Sequence, residues 1–184
     1  DGTLKNAITD GAFHVHEVVA VNEKDRTVFF TASGVNPEEN PYYMHLYRAS
    51  WDGGKMQLLN PGNYDSRIGM SEKGEYFVSS YSRVDTAPAN TLFDGKGKKI
   101  MDLETADLSL LMAAGYQFPE PFTVKAADGV TDLYGVIYKP FDFDPNKSYP
   151  VIEYVYPGPQ VEATNYFWSQ GMNRVDRLAQ VGFI

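Results

Sequence analysis

The sequence predicts a mixed fold, in which antiparallel β-propeller blades are followed by the start of an α/β domain. Three observations predict it. Residues 1–103 consist of short apolar and aromatic runs separated by turn residues, as β-hairpins require. The pattern of these runs recurs along the chain. After Leu103 the sequence pattern predicts a strand, a helical segment and a second strand, which is the order in which α/β domains begin.

An internal sequence repeat indicates how many propeller blades residues 1–103 contain. The segment "EKDRTVFFTAS" from Glu23 is matched by "EKGEYFVSSYS" from Glu72, about 49 residues later, and "HLYRASWDGGKMQLL" is echoed by "NTLFDGKGKKIMDL". Four strands per period of about 40–50 residues is the spacing of propeller blades. Two repeats cannot close a ring, so residues 1–103 are predicted to be roughly two adjacent blades of a larger propeller. A small independent β-sandwich is the alternative.

The remaining segments follow in order. "ETADLSLLMAAGY" predicts a short helix ending at Gly115, and "FPEPF" completes a connection over residues 104–121. Residues 122–184 begin with a hairpin around "ADGV". "YPVIEYVY" is apolar enough for a parallel strand covered on both faces, "NRVDRLAQ" has helical spacing, and "VGFI" begins another strand. Since the chain stops in a strand, we expect an excised segment.

Composition narrows the function classes. The net charge is −8 and the pI is near 4.8, which disfavours nucleic-acid binding. The basic run Lys96–Lys99 is better explained as a solvated hairpin turn. No apolar stretch approaches the roughly 20 residues of a membrane span. The absence of cysteine excludes disulfides, thiolate catalysis and cysteine-based zinc sites. No glycine-rich phosphate loop is present, and no cofactor is predicted.

No complete Ser-His-Asp set in the chain order of α/β-hydrolases can be built from this chain. The nearest match to G-x-S-x-G is "FWSQG", with Phe167 in place of the first glycine, so Ser169 is interpreted as a surface or helix-cap serine. In α/β-hydrolases the histidine follows the serine. All three histidines, His14, His16 and His45, precede it.

The histidines have simpler explanations. His14 and His16 share one strand face and could bind a metal, but no third ligand is suggested, so an exposed strand face is favoured. His45 alternates with Tyr43 and Tyr47, which predicts a packed blade face with a hydrogen-bonded ring.

The acidic pairs are ambiguous. Glu38 and Glu39 could hold a substrate ammonium, although solvation of a loop explains them more simply. Asp142 and Asp144 are predicted to be turn residues.

One group of segments resembles a known family. "LYGVIYKP" followed by "YPVIEYVYPGPQ" resembles the entry to the hydrolase domain in the dipeptidyl peptidase IV branch of the prolyl oligopeptidase family. "NEKDRTVFFTAS", "HLYRASWDGG" and "MSEKGEYFVSSYS" are similar to that family's last propeller blades. The resemblance implies that residues 122–184 begin an α/β-hydrolase catalytic domain. It also implies a periplasmic or secreted serine dipeptidyl peptidase that releases X-Pro or X-Ala dipeptides from peptide N-termini.

The resemblance assigns one site residue. The tyrosine of the family's "VYxGP" motif donates its hydroxyl to the oxyanion, and the matching position is Tyr156. Pro157 and Glu153 depart from the usual pattern. The family's nucleophile, acid and histidine follow the position of Ile184, so the chain alone is expected to be inactive. Its acidic substrate-binding pair lies in an earlier blade, so that role is not transferred to Glu38 and Glu39. A non-catalytic binding relative is the alternative, and exposed blade edges predict homo-oligomers.

Overall fold

The computed structural model describes residues 2–155, 166–168 and 174–184. They form two compact units, the first comprising Asp1–Tyr81 with Pro88–Thr105 and the second Ser82–Ala87 with Ala106–Ile184. Most of the described secondary structure is antiparallel β-sheet, with two short helices. Neither of those helices has the length and apolar content that a bilayer crossing requires.

The first sheet has four strands in sequential order, with every neighbouring pair antiparallel. Its strands are β1 (His14–Asn22), β2 (Thr27–Ser33), β3 (Met44–Ser50) and β4 (Gln57–Leu58). Two register shifts interrupt the pairing of β1 with β2. Such bulges increase the local twist of the strand.

The second sheet repeats this order with β5 (Asp65–Met70), β6 (Tyr76–Arg83), β7 (Thr86–Asp94) and β8 (Lys99–Thr105). The two halves of the first sequence repeat form the second strand of each sheet, and the other repeat forms the third and fourth. The lysine-rich run is the predicted turn between β7 and β8, in which the Asp94 carboxylate accepts the backbone N–H groups of Lys96 and Lys98, both at 2.9 Å. Two sequential four-stranded antiparallel sheets are consistent with propeller blades.

The first unit has a core on each face of the first sheet. One core brings side chains of both sheets together, and its buried members are Ala20, Phe29, Leu46, Leu59, Phe77 and Phe93. The rings of Phe77 and Phe93 stack with centroids 4.9 Å apart. The other core lies on the opposite face of the first sheet and contains Val28, Phe30, Ala32, Tyr47 and Ala49. Ile8 and Phe13, from the segment before β1, pack against it.

The second unit contains the predicted helices and hairpin. Helix α1 (Ser109–Ala113) is followed by Gly115 at φ 89°, a left-handed conformation that glycine adopts readily. Strands β9 (Glu120–Lys125) and β10 (Asp132–Ile137) form the antiparallel hairpin around Gly129, and helix α2 (Arg174–Gln180) occupies the second helical segment.

The predicted buried strand "YPVIEYVY" differs from the observed structure. Its described residues carry no assigned strand, and Val151, Tyr154 and Val155 are 72%, 66% and 62% exposed. The prediction of burial on both faces is therefore wrong for these residues. An apolar composition favours burial of a segment, but it does not show that other parts of the chain pack against it. Two backbone hydrogen bonds of the parallel type are present between this segment and Ile184. Pro150 O accepts the N–H of Ile184, and Ile184 O accepts the N–H of Ile152. That alternation is the parallel ladder pattern.

Candidate functional site

The predicted oxyanion donor Tyr156 and the rejected nucleophile Ser169 both lie outside the described residues. In the part of the chain that the structure describes, a buried group of hydrogen-bonded polar residues lies in the first unit, at one end of β3. We call it the His45 cluster, and it comprises Glu39, His45, Asn60, Tyr64 and Asp65.

Each end of the His45 ring is bonded. The ring is 4% exposed, with Nε2 2.8 Å from Glu39 Oε2 and Nδ1 3.3 Å from the backbone oxygen of Asn60. The sequence prediction of a packed, hydrogen-bonded histidine is confirmed. Because both nitrogens are engaged, the ring can act as a general base only after one of these contacts breaks.

Glu39 is more enclosed than the sequence predicted. Its side chain is 14% exposed and binds His45 through one oxygen, while Asn36 Nδ2 donates to the other at 2.8 Å. Simple solvation of the loop is therefore wrong for Glu39, although Glu38 is exposed. The pairing of Glu39 with His45 also leaves it poorly placed to bind a substrate ammonium.

Asn60 organises the buried side of the cluster. It is fully buried, its Oδ1 accepts the N–H of Leu46 at 2.7 Å, and its Nδ2 donates to the hydroxyls of Ser66 and Ser79 at 2.9 and 3.2 Å. These bonds join the end of the first sheet to β5 and β6. A single amide thus satisfies three groups buried between two sheets.

Two tyrosines border the cluster. The rings of Tyr64 and Tyr81 stack at 4.3 Å, and the Tyr64 hydroxyl donates to Pro61 O at 2.5 Å. Burial, with smaller contributions from Tyr81 and the Glu39 carboxylate, raises the pKa of Tyr64 to about 12. Burial and Glu39 likewise raise the pKa of Tyr47 to about 12. Both phenols are therefore neutral hydrogen-bonding groups at ordinary pH.

Asp65 is the second carboxylate near the ring. Its Oδ1 accepts the N–H of Met44 at 3.0 Å. Burial raises its pKa, against the opposing effects of that hydrogen bond, the Ser66 N–H and the charges of Arg67 and His45. The cluster thus contains two acids and one imidazole but no serine hydroxyl shown bonded to the ring, so it does not reproduce a catalytic triad.

His14 and His16 lie on the exposed part of β1, as predicted. Their rings meet edge to face with centroids 4.5 Å apart, and His16 Nε2 is 2.9 Å from Ser33 Oγ. Burial and the neighbouring His14 lower the pKa of His16. Within the described ranges, no three or more histidine, cysteine or acidic side chains are arranged so that they could hold a metal ion.

In the second unit, Asp144 is the predicted turn residue, since its Oδ1 accepts the N–H of Asn146 at 3.0 Å. A small aromatic pocket also lies in this unit, lined by Val84, Tyr116, Pro119, Tyr138, Phe167, Trp168 and Asp176. None of these residues was predicted from the sequence to line a pocket. Its aromatic content was visible in the sequence, but its assembly from distant segments was not.

Comparison with known proteins supports the dipeptidyl peptidase family. Residues 1–88 match the family model described as the dipeptidyl peptidase IV (DPP IV) N-terminal region. The chain is 30% identical to human dipeptidyl peptidase 8 over 191 residues, covering 97% of this chain and 21% of that protein. It is 27% identical to dipeptidyl peptidase 4 of Arthroderma otae over 176 residues, covering 91% and 22% respectively. The chain therefore spans about a fifth of the length of these relatives.

Proposed function

We propose that the chain is part of a serine dipeptidyl peptidase that releases X-Pro or X-Ala dipeptides from peptide N-termini. The observation that carries this proposal is similarity to proteins named dipeptidyl peptidases along 97% of the chain. The order of two four-stranded sheets, a hairpin and a helix also agrees with the last propeller blades followed by the start of a hydrolase domain.

In this proposal Tyr156 supplies one donor to the oxyanion of the tetrahedral intermediate. A phenol is neutral at pH 7 and can donate its proton in a hydrogen bond without a change of charge. One such donor contributes roughly 3–4 kcal/mol of transition-state stabilisation. Pro157 restricts the residue before it to extended conformations, which limits the directions in which the Tyr156 side chain can point.

The test uses the complete parent protein and Gly-Pro and Ala-Pro reporter substrates. Tyr156→Phe removes only the hydroxyl and should lower kcat by about 100-fold to 1,000-fold with little change in KM. Tyr154→Phe is the matched control, because Tyr154 is two residues upstream and 66% exposed. Equal activity of both variants and the wild type would remove Tyr156 from the mechanism. A parent with no peptidase activity, or no serine elbow after Ile184, would favour a non-catalytic binding relative.

The 184-residue chain alone should not hydrolyse these reporters, because the proposed nucleophile, acid and histidine belong to later sequence. Turnover by the chain above that of its Tyr156→Phe variant would contradict this assignment. We further propose a periplasmic or secreted location, and self-association through exposed blade edges. Light scattering over a range of concentrations tests the association.

A further inference from the structure

An open cavity of about 540 Å³ lies in the first unit, where the turns β1–β2, β5–β6 and β7–β8 meet the end of β3. Its lining combines charged side chains with the ring of Phe29, which is 3% exposed. A volume of this size is within the range of ligand pockets, roughly 300–1,000 Å³. None of the five residues of the His45 cluster lines it, so it is a separate site.

Two glycines hold the turns of the second sheet together at the cavity. Gly95 N donates to Glu75 O at 2.7 Å. A Cβ on Gly95 would clash with Gly74 O, and a Cβ on Gly74 would clash with the ring of Phe29. Only hydrogen fits at either position, so this part of the lining is closely packed backbone.

Arg48 of β3 is a half-buried cation in the lining. Its Nε donates to Gln57 Oε1 at 2.9 Å and its Nη1 donates to Gly95 O at 3.3 Å. Gln57 is held in turn, because its Nε2 donates to Lys96 O at 3.1 Å. A guanidinium has five N–H donors, and these two bonds leave the others for a ligand. Among the described residues no carboxylate pairs with Arg48.

The remaining charges of the lining have both signs. Lys96, Asp25 and Glu75 are exposed, and within the described ranges none of the three forms an ion pair. Asp94 also lines the cavity, but its Oδ1 already accepts the backbone N–H groups of Lys96 and Lys98. Carboxylates beside the two cations oppose the binding of a polyanion, so the lining favours a ligand with one charge of each sign.

We propose that this cavity binds a small zwitterion of dipeptide size, with its carboxylate on Arg48 and Lys96 and its ammonium on Glu75 and Asp25. A carboxylate matches the fork of a guanidinium, which can donate two parallel hydrogen bonds to it. An ammonium group has three donors for the acidic side chains. The site lies in the first unit and involves no bond cleavage, so it does not depend on the proposed peptidase function.

The experiment titrates the 184-residue chain with alanyl-alanine and follows the backbone amide chemical shifts. Saturable shifts should appear at Gly74, Gly95 and Lys96, with a Kd of about 1–10 mM. N-acetyl-alanyl-alanine lacks the ammonium and alanyl-alanine amide lacks the carboxylate, so each should bind at least about fivefold more weakly. No saturable shift, or equal binding of the three compounds, would overturn the proposal. Tighter binding of inorganic phosphate would also overturn it, by showing a site for anions in general.

Two matched pairs of variants identify the charges that bind the ligand. Lys96→Gln and Glu75→Gln each remove a charge from the lining. Lys98→Gln and Glu72→Gln remove the same charges from exposed positions near these residues that do not line the cavity. Each lining variant should raise the Kd of alanyl-alanine by about twofold to fivefold, and each control should leave it unchanged. Equal effects within either pair would refute the assignment.

Ligand selectivity separates a lost charge contact from a general loss of structure. Arg48→Gln should raise the Kd of alanyl-alanine by at least about tenfold and remove its advantage over the amide. Glu75→Gln should instead reduce its advantage over the N-acetyl compound. Urea unfolding verifies that each variant is folded, and Lys96→Gln carries the test of the carboxylate contact if Arg48→Gln is not. Variants that weaken all three compounds equally would contradict the proposed orientation of the ligand.

Discussion

The indole N–H of Trp168 donates a 3.0 Å hydrogen bond to the hydroxyl of Tyr116, 52 residues earlier in the chain. The backbone N–H of Trp168 donates to Ser82 Oγ at 3.3 Å, and Trp168 itself is 7% exposed. Both donors of one buried residue therefore depend on partners from distant parts of the second unit.

Tyr116→Phe should destabilise the protein by about 1–3 kcal/mol, because it leaves the buried indole N–H without its acceptor. Urea unfolding followed by tryptophan fluorescence measures the loss. Tyr154→Phe removes the same hydroxyl from a side chain that is 66% exposed, and should change stability by less than about 0.5 kcal/mol. Equal effects of the two substitutions would show that the indole bond contributes little.

Asn60→Ala should be more costly, by about 3 kcal/mol, since it removes three hydrogen bonds and leaves the Leu46 N–H unsatisfied in a buried site. Thermal and urea unfolding both report this loss. The control is Asn63→Ala in the same loop, where the side chain is exposed. A loss below 1 kcal/mol for Asn60→Ala would mean that water or a rearranged serine replaces the amide.

Gly74→Ala should destabilise the first unit by about 2–3 kcal/mol. Gly74 has φ +69°, and an added Cβ would lie 2.3 Å from the ring of Phe29, which is 3% exposed. Gly129→Ala separates the two causes, because Gly129 has φ +70° and open space around it. It should show only the backbone cost of about 1 kcal/mol. Equal losses at the two sites would argue against a clash with Phe29.

Asp85 should make the free energy of unfolding depend on pH in the acidic range. Arg83 donates to both of its carboxylate oxygens, at 2.8 and 2.6 Å, and these hydrogen bonds hold the pKa of Asp85 below its usual value despite partial burial. A depressed pKa means that the stabilisation is present above the unfolded value of about 3.9, and is lost as the pH falls through the folded value.

Asp85→Asn should therefore destabilise the protein by about 0.5–1 kcal/mol at pH 7, allowing for solvent screening of the pair. The difference from wild type should vanish as the pH falls well below 4. Urea unfolding at pH 7, 5 and 3 measures the trend, with Asp142→Asn as an exposed turn control. A difference that is constant with pH would exclude the ion pair as its source.

The sequence by itself determined most of the local structure. Alternating apolar and aromatic residues between turn residues specify hairpins locally, so the repeated segments predicted β2 and β6 at equivalent places in the two sheets. The same local signals predicted Gly115 after helix α1 and the hairpin around Gly129. The packed state of His45 also followed from its alternation with two tyrosines.

Only the tertiary structure decided which groups meet. The pairing of Glu39 with His45 depends on the path of the β2–β3 loop, and the bonds of Asn60 to Ser66 and Ser79 depend on how two sheets pack. Burial of the segment around Val151 was predicted from its composition and is not observed. Composition records how much apolar surface a segment has, whereas cover and hydrogen-bond partners come from residues far away in the chain. Which of these remote residues come into contact is decided by tertiary packing, and local sequence patterns carry no information about that packing.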